Sequence, residues 1–263
     1  MFDSGFGGLT VARAVIDLLP DQDLVYFGDT GRYPYGPRDL DEVRQFALQI
    51  GRLLRRRYKA KLLVVACNTA AAASLEHLRD ELDIPVVGVI EPGIVAASQA
   101  STSGNVGVIG TVGAIGSGAY AAAVADLNLA IELTSCACPG FVEFVERGET
   151  DGEGIELLAN RLLRPIIDAD VDSLLLGCTH YPYLARTIGD VMGRPVTLVS
   201  SADETAFEVR RLLIEDHREG EIGTRTFISS GDAGMFESIG RRLFGAELVG
   251  ATEHRWDVSG DAQ

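Results

Sequence analysis

Short, wholly apolar runs alternate along the chain with longer amphipathic stretches, and polar turns separate them. Asp23–Gly28 (DLVYFG) reads as a strand. Asp39–Tyr58 (DLDEVRQFALQIGRLLRRRY) carries apolar residues at Val43, Phe46, Ala47, Ile50, Leu53 and Leu54, the spacing of a helix with one buried face. A strand over Lys61–Ala66, a helix over Ser74–Leu82 and a strand over Pro85–Ile90, stopped by Pro92, complete a first set. A second set runs from a strand at Asn105–Gly110 through an alanine-rich helix at Ser117–Leu127 and a strand at Ala130–Ser135. It continues with a helix at Glu153–Ala169 and strands at Val171–Leu176 and Pro195–Val199. After Ser201 come a helix, a strand at Thr224–Ile228, a helix at Met235–Leu243 and a frayed tail. Apolar strands alternating with helices indicate parallel sheets covered on both faces. The expected fold class is α/β, with two similar doubly wound α/β/α domains related by an approximate twofold and a cleft between them. Residues 1–91 with 203–263 form the first expected domain and residues 92–202 the second.

Two cysteines occupy matching places in this pattern. Cys67 closes Leu62-Leu63-Val64-Val65-Ala66 and is followed by Asn68-Thr69. Cys178 closes Ser173-Leu174-Leu175-Leu176-Gly177 and is followed by Thr179-His180. The C-terminal ends of parallel strands are where open α/β sheets carry their functional residues. The distance from Asp3 to Cys67 is 64 positions, and from Thr111 to Cys178 it is 67, so the two sets look like copies of one plan. Doubly wound domains share strand and helix lengths in any case, and a cysteine in a strand is commonly inert packing. Polar flanks at a helix start set these two apart, because a helix N-terminus lowers a thiol pKa. Each is therefore expected to be partly thiolate. One sulfur base on each face of a carbon can remove a proton from one side and deliver another to the opposite side, with Asp3 and His180 as the proton-managing neighbours.

Composition narrows the alternatives. With 263 residues, 46% of them hydrophobic, the chain can build two ordinary cores. A formal charge of −15 argues against a nucleic-acid partner. No apolar run reaches the roughly 18 to 20 residues of a membrane span, and no secretion signal opens the chain, so a cytoplasmic location with reduced thiols is expected. Cys136 and Cys138 lack zinc-ligand spacing and are expected to be small core residues, with no metal site. Pyridoxal phosphate is disfavoured, since Lys59 and Lys61, the only lysines, precede the strand that ends in Cys67 and so lie at the wrong edge of the sheet. The glycine-rich stretches Asp3–Thr10 and Gly107–Gly116 suit an anion at a helix start but lack the G-x-G-x-x-G frame. They leave open a non-catalytic phosphate- or nucleotide-binding module, a reading of a different class.

The segments FDSGFGGLTV (Phe2–Val11), GDTGRYPYGPR (Gly28–Arg38), ACNTA (Ala66–Ala70) and GCTHYP (Gly177–Pro182) together closely resemble the glutamate racemases. CPGFVEFVERG (Cys138–Gly148) and LVSSADETA (Leu198–Ala206) extend the likeness in order along the chain. These enzymes are cofactor-independent members of the aspartate/glutamate racemase superfamily, and actinobacterial members look nearest. The resemblance implies that Cys67 serves the D-enantiomer and Cys178 the L-enantiomer. It implies substrate contacts at Asp3, Ser4, Tyr35, Gly36, Asn68, Thr69, Thr179 and His180, with Thr111 lining the site from the second domain. Asp3 would also support the first thiol and His180 the second, with Glu146 as partner of the imidazole. It further implies no cofactor, a homodimer, and D-glutamate as a product that feeds peptidoglycan assembly. A racemase of aspartate or another small acid stays open, because a thiol pair fixes the reaction better than the side chain bound.

Family members carry an apolar first strand before the position of Asp3. Here most of it is absent, so the expectation is a start assigned too far downstream and a loosened Asp3–Ser4 loop. A dianionic substrate must be drawn in by helix N-termini rather than by net charge. Arg32 and Arg38 are expected to be loop or surface charges, and His77, His217 and His254 to face solvent.

Overall fold

A computed structural model describes residues 1–193, 195–213, 222–245 and 248–256. In chain order the strands are β1 (Phe2–Asp3), β2 (Leu24–Gly28), β3 (Leu63–Val65), β4 (Val86–Gly88), β5 (Asn105–Gly110), β6 (Glu132–Ala137), β7 (Ser173–Gly177), β8 (Thr197–Val199), β9 (Arg225–Ser229) and β10 (Thr252–Glu253). They form two wholly parallel sheets, of order β10-β9-β2-β1-β3-β4 and β6-β5-β7-β8. The segment β2-β1-β3-β4 of the first sheet and the whole of the second share one connectivity. In each, the chain pairs its second strand on one side of the first and then crosses to place the third on the other side. Ligand sites of open α/β sheets lie at that reversal, beyond the strand C-termini. Cys67 follows β3 and Cys178 follows β7, so both thiols stand beside a reversal point.

The apolar runs become strands because both faces are covered. All residues of β3 and β7 are buried. The helix Leu40–Arg57 follows its predicted span closely. The Asp39 carboxylate caps it by accepting from the Asp41 amide at 2.8 Å, and Val43, Ala47, Ile50 and Leu54 form its buried face. Arginines 55 to 57 occupy its last turn, where the helix dipole favours cations.

Several expectations are corrected. The helix after Cys67 is Asn68–Glu81 and starts at once, instead of at Ser74, because Cys67 itself caps it and a run of alanines propagates it. Pro92 does not stop a strand: β4 ends at Gly88, and Pro92 lies in the first turn of the helix Ile90–Ala100, where a missing N–H costs no hydrogen bond. The helix expected over Glu153–Ala169 is broken into Glu153–Leu162 and Arg164–Asp168, since Pro165 cannot continue the first. The Asp3–Ser4 turn is not loose. Asp3 Oδ1 accepts from the Gly5 amide at 2.8 Å, the Asp29 amide donates to the Asp3 carbonyl at 3.0 Å, and the Tyr26 hydroxyl donates to the Gly5 carbonyl at 3.0 Å.

Residues 257–263, the end of the expected frayed tail, lie outside the described residues. β10 adds an edge strand, and His254 is buried against Phe27 and Trp256 instead of facing solvent. Arg32 is no surface charge, because its guanidinium lies between the rings of Phe46 and Trp256, 4.2 Å from each centroid, and pairs with buried Asp29 at 2.7 Å. His77 is exposed, and His217 lies outside the described residues.

Candidate active site

A cavity of about 90 Å³ lies where the C-terminal ends of the two sheets meet. Cys67 and Cys178 both line it, together with Ser4, Tyr35, Gly36, Asn68, Thr69, Thr111, Thr179 and His180. Asp3 and Glu146 do not line it. Asp3 lies fully buried at the end of β1, and Glu146 sits behind His180. A larger cavity of about 220 Å³ lies elsewhere, around Met1, Leu24 and Lys61 near the starts of β2 and β3, and neither thiol lines it.

The Cys67 turn is built by β3 running out against β1. The Ala66 amide donates to the Phe2 carbonyl at 2.9 Å, and the chain then enters the helix Asn68–Glu81 with Cys67 as its extended cap. Cys67 Sγ accepts from the Ala70 amide at 3.5 Å and lies 3.8 Å from Ser4 Oγ. Burial nonetheless pushes the thiol up to about 12, and the neighbouring Asp3 carboxyl pushes the same way. This corrects the expectation of a partial thiolate here: loss of hydration outweighs the helix start. Burial also raises Asp3, against the opposing pull of His180 and of the Gly5 and Gly8 amides.

The Cys178 turn has different company. A tight turn, with the Tyr181 amide donating to the Cys178 carbonyl at 3.0 Å, brings His180 back over the sulfur. His180 Nδ1 is 3.8 Å from Cys178 Sγ, and Nε2 is 3.3 Å from Glu146 Oε1 on the helix Phe141–Arg147. Burial alone would lower this imidazole. Its hydrogen bonds to Cys178 and Glu146 outweigh that and lift it to about 10. It is therefore an imidazolium at neutral pH, donating from both nitrogens.

Two features let these turns meet across the cleft. A Cβ on Gly7 would sit 2.2 Å from Thr179 Oγ1 and 2.6 Å from His180 Nδ1, so only glycine admits the second sheet's turn at this point. The glycine-rich stretch thus serves close approach as well as the helix start. On the other side, Thr69 Oγ1 and Thr111 Oγ1 are 2.8 Å apart, and the Gly113 amide donates to the Gly36 carbonyl at 2.9 Å. Buried Asp29 holds the Tyr35–Gly36 loop: it accepts from the Tyr35 hydroxyl, Arg32, Ser230 and the Trp256 indole N–H.

Three contributors escaped sequence reasoning. Tyr33 lines the cavity and hydrogen-bonds Glu146; it was hidden in a turn motif rich in proline and glycine. Cys138 lines the cavity wall as well as being buried. Tyr120 is fully buried beside both thiol turns, and its only sequence signal is a lone phenol in the alanine-rich AYAAAVAD helix.

The fold and site define a two-sheet α/β protein with a paired-cysteine cleft. A family model described as Asp/Glu/Hydantoin racemase matches residues 9–208, and the chain belongs to that family. It is 50% identical over 254 residues to a glutamate racemase of Mycobacterium marinum, covering 95% of this chain and 93% of that protein. The structure superposes on glutamate racemase isoform RacE1 of Bacillus anthracis with a TM-score of 0.90 at 40% identity, covering 98% of this chain and 96% of the other. It also superposes on the Francisella tularensis glutamate racemase in complex with D-glutamate, with a TM-score of 0.88 at 31% identity, covering 96% and 94%.

Proposed function

We propose that the protein interconverts L- and D-glutamate, without a cofactor, by proton transfer at the α-carbon between two cysteines. The observation that carries this reading is that Cys67 and Cys178 reach one cavity from two sheets. In the L-to-D direction, Cys178, facing the His180 imidazolium, takes the α-proton, and the electron pair of the broken C–H bond stays on the α-carbon. Cys67 then delivers its own proton to the opposite face, and the new C–H bond gives the D-enantiomer. The reverse direction exchanges the roles. Buried thiols suit this step, because the carbanionic intermediate must be protonated by a positioned acid rather than by bulk water.

Substrate recognition follows from the donors and acceptors at the cavity. Asn68 Oδ1 is a buried acceptor with no partner in the protein and suits the substrate ammonium. The amides at the start of Asn68–Glu81 and the hydroxyls of Ser4, Thr69, Thr111 and Thr179 suit the carboxylates. Tyr35 and Gly36 close the cavity from the first sheet. His180 holds and moves the proton of Cys178, and Glu146 orients the imidazolium. The glutamate racemase relatives, one of them bound to D-glutamate, favour glutamate over aspartate. The reading extends to a cytoplasmic homodimer whose product enters peptidoglycan assembly.

The test is incubation of each enantiomer of glutamate, and of aspartate in parallel, in deuterium oxide. Deuterium entering the α-carbon as the opposite glutamate enantiomer accumulates is the expected result. Inversion without deuterium, or aspartate as the faster substrate, overturns the mechanism or the substrate respectively.

A further inference from the structure

Tyr120 stands outside the roles assigned so far. It lies on the helix Ala119–Asp126, and its ring is buried. Its hydroxyl oxygen is 3.0 Å from Asn68 Nδ2 and 3.0 Å from the carbonyl oxygen of Gly177. Asn68 immediately follows Cys67, and Gly177 immediately precedes Cys178. One phenol therefore joins the two thiol turns, one from each sheet. The approach is close: a Cβ on Gly177 would lie 2.5 Å from the Tyr120 oxygen and 2.7 Å from the Ile109 carbonyl oxygen, so the position takes only glycine.

The proton inventory of this contact has one solution. A carbonyl can only accept, so the single phenolic proton is committed to Gly177. The phenol oxygen is then an acceptor towards Asn68, which must present its NH2 group. That fixes the orientation of an amide whose two ends are otherwise nearly interchangeable. The remaining end, Oδ1, is buried and has no partner within the protein, and Asn68 lines the cavity. Burial adds weight to the outcome, because the phenol is held far from ionisation and keeps its proton.

We infer that Tyr120 is a positioning residue that fixes the polarity of Asn68, so that the cleft offers a hydrogen-bond acceptor to the substrate's α-ammonium. Without the phenol oxygen, Asn68 is free to turn its NH2 towards that cation, and a favourable contact becomes a repulsive one. The inference rests on the glutamate reading above and deepens it by assigning how the amino group is told apart from the carboxylates.

The experiment compares ligands with and without the amino group. In Tyr120→Phe the ring packing is kept, and the melting temperature reports folding. The Michaelis constant for both glutamate enantiomers is expected to rise roughly ten- to a hundredfold, the range for losing a hydrogen bond to a charged group. Inhibition by glutarate, the same dicarboxylate without the amine, is expected to stay within about twofold. In the double variant Tyr120→Phe/Asn68→Asp, both oxygens of the new carboxylate accept, so the Michaelis constant should recover by at least half of the loss on a logarithmic scale. Equal weakening of glutamate and glutarate, or no recovery in the double variant, overturns the assignment in favour of plain packing. An unchanged Michaelis constant in Tyr120→Phe overturns it as well. Wild-type racemisation is the separate control: its absence would sink the glutamate reading itself.

Discussion

The two thiol turns occupy equivalent places on a repeated strand order, yet their electrostatic surroundings are opposite. Cys67 has the Asp3 carboxyl, the Ser4 hydroxyl and a single amide for neighbours, and it is held as a thiol. Cys178 has an imidazolium against it, backed by Glu146. The difference arises from single positions. The first strand of one sheet ends in Asp3, whereas the equivalent strand of the other ends in Gly110, followed by Thr111. The second residue after the thiol is Thr69 in one turn and His180 in the other. A common scaffold thus places two like sulfurs, and a few substitutions give one the setting of an acid and the other that of a base. The proposed mechanism, which holds one proton between two sites, gains from that inequality, since two equal thiols would leave the starting state undefined.

The largest expected effect comes from removing either sulfur. Cys67→Ser and Cys178→Ser should each lower racemisation by roughly 10³-fold or more, with the circular dichroism spectrum unchanged, because positioned acid–base groups commonly contribute about 10²- to 10⁴-fold. Near-full turnover in both variants would end the two-sulfur account. His180→Asn should cost about 10²-fold. Its effect on kcat/KM must be equal in both directions, since the equilibrium constant between enantiomers is one. The inequality of the two turns is therefore to be sought in the primary deuterium isotope effects, which should change more for the L-substrate if, as proposed, its proton goes to Cys178.

Glu146→Gln removes the carboxylate that helps to raise His180, so the imidazole should titrate below about 10 in NMR spectra, with activity down roughly tenfold. The same shift has a stability consequence. His180 has a folded pKa near 10 against an ordinary 6.5, so its contribution is complete below 6.5 and is lost as pH rises through about 10. Wild-type denaturation midpoints should fall over that window more steeply than those of His180→Asn. The smallest effect is expected at Trp256→Ala, which frees one face of Arg32 and one acceptor on Asp29. It should lower stability by about 1–3 kcal/mol and leave the isotope effects unchanged.

Much of the scaffold was legible because parallel strands covered on both faces leave wholly apolar runs: Asn105–Gly110 is a strand over its predicted span, and Cys67 and Cys178 were visible at the ends of two more. The start of the helix at Asn68 was not legible, since Asn and Thr read as turn residues unless the cysteine ahead of them is recognised as a cap. β10 was missed because a two-residue edge strand with exposed side chains has no apolar alternation, and the burial of His254 went with it. The protonation of Cys67 escaped for a deeper reason. A helix start is a local feature that sequence displays, whereas burial is set by residues far along the chain, and here burial wins. Tyr120 escaped similarly, for its meaning lies in two partners 52 and 57 positions away.

The repeated connectivity has a consequence for handedness. A polypeptide made of L-residues cannot contain a mirror plane, so it cannot present reflected surroundings to reflected molecules. Building the same strand arrangement twice and turning the copies towards each other is the nearest substitute available to such a chain. Under the proposed mechanism the price is that each half meets its own enantiomer through different side chains, so indifference to chirality is reached through two unlike halves.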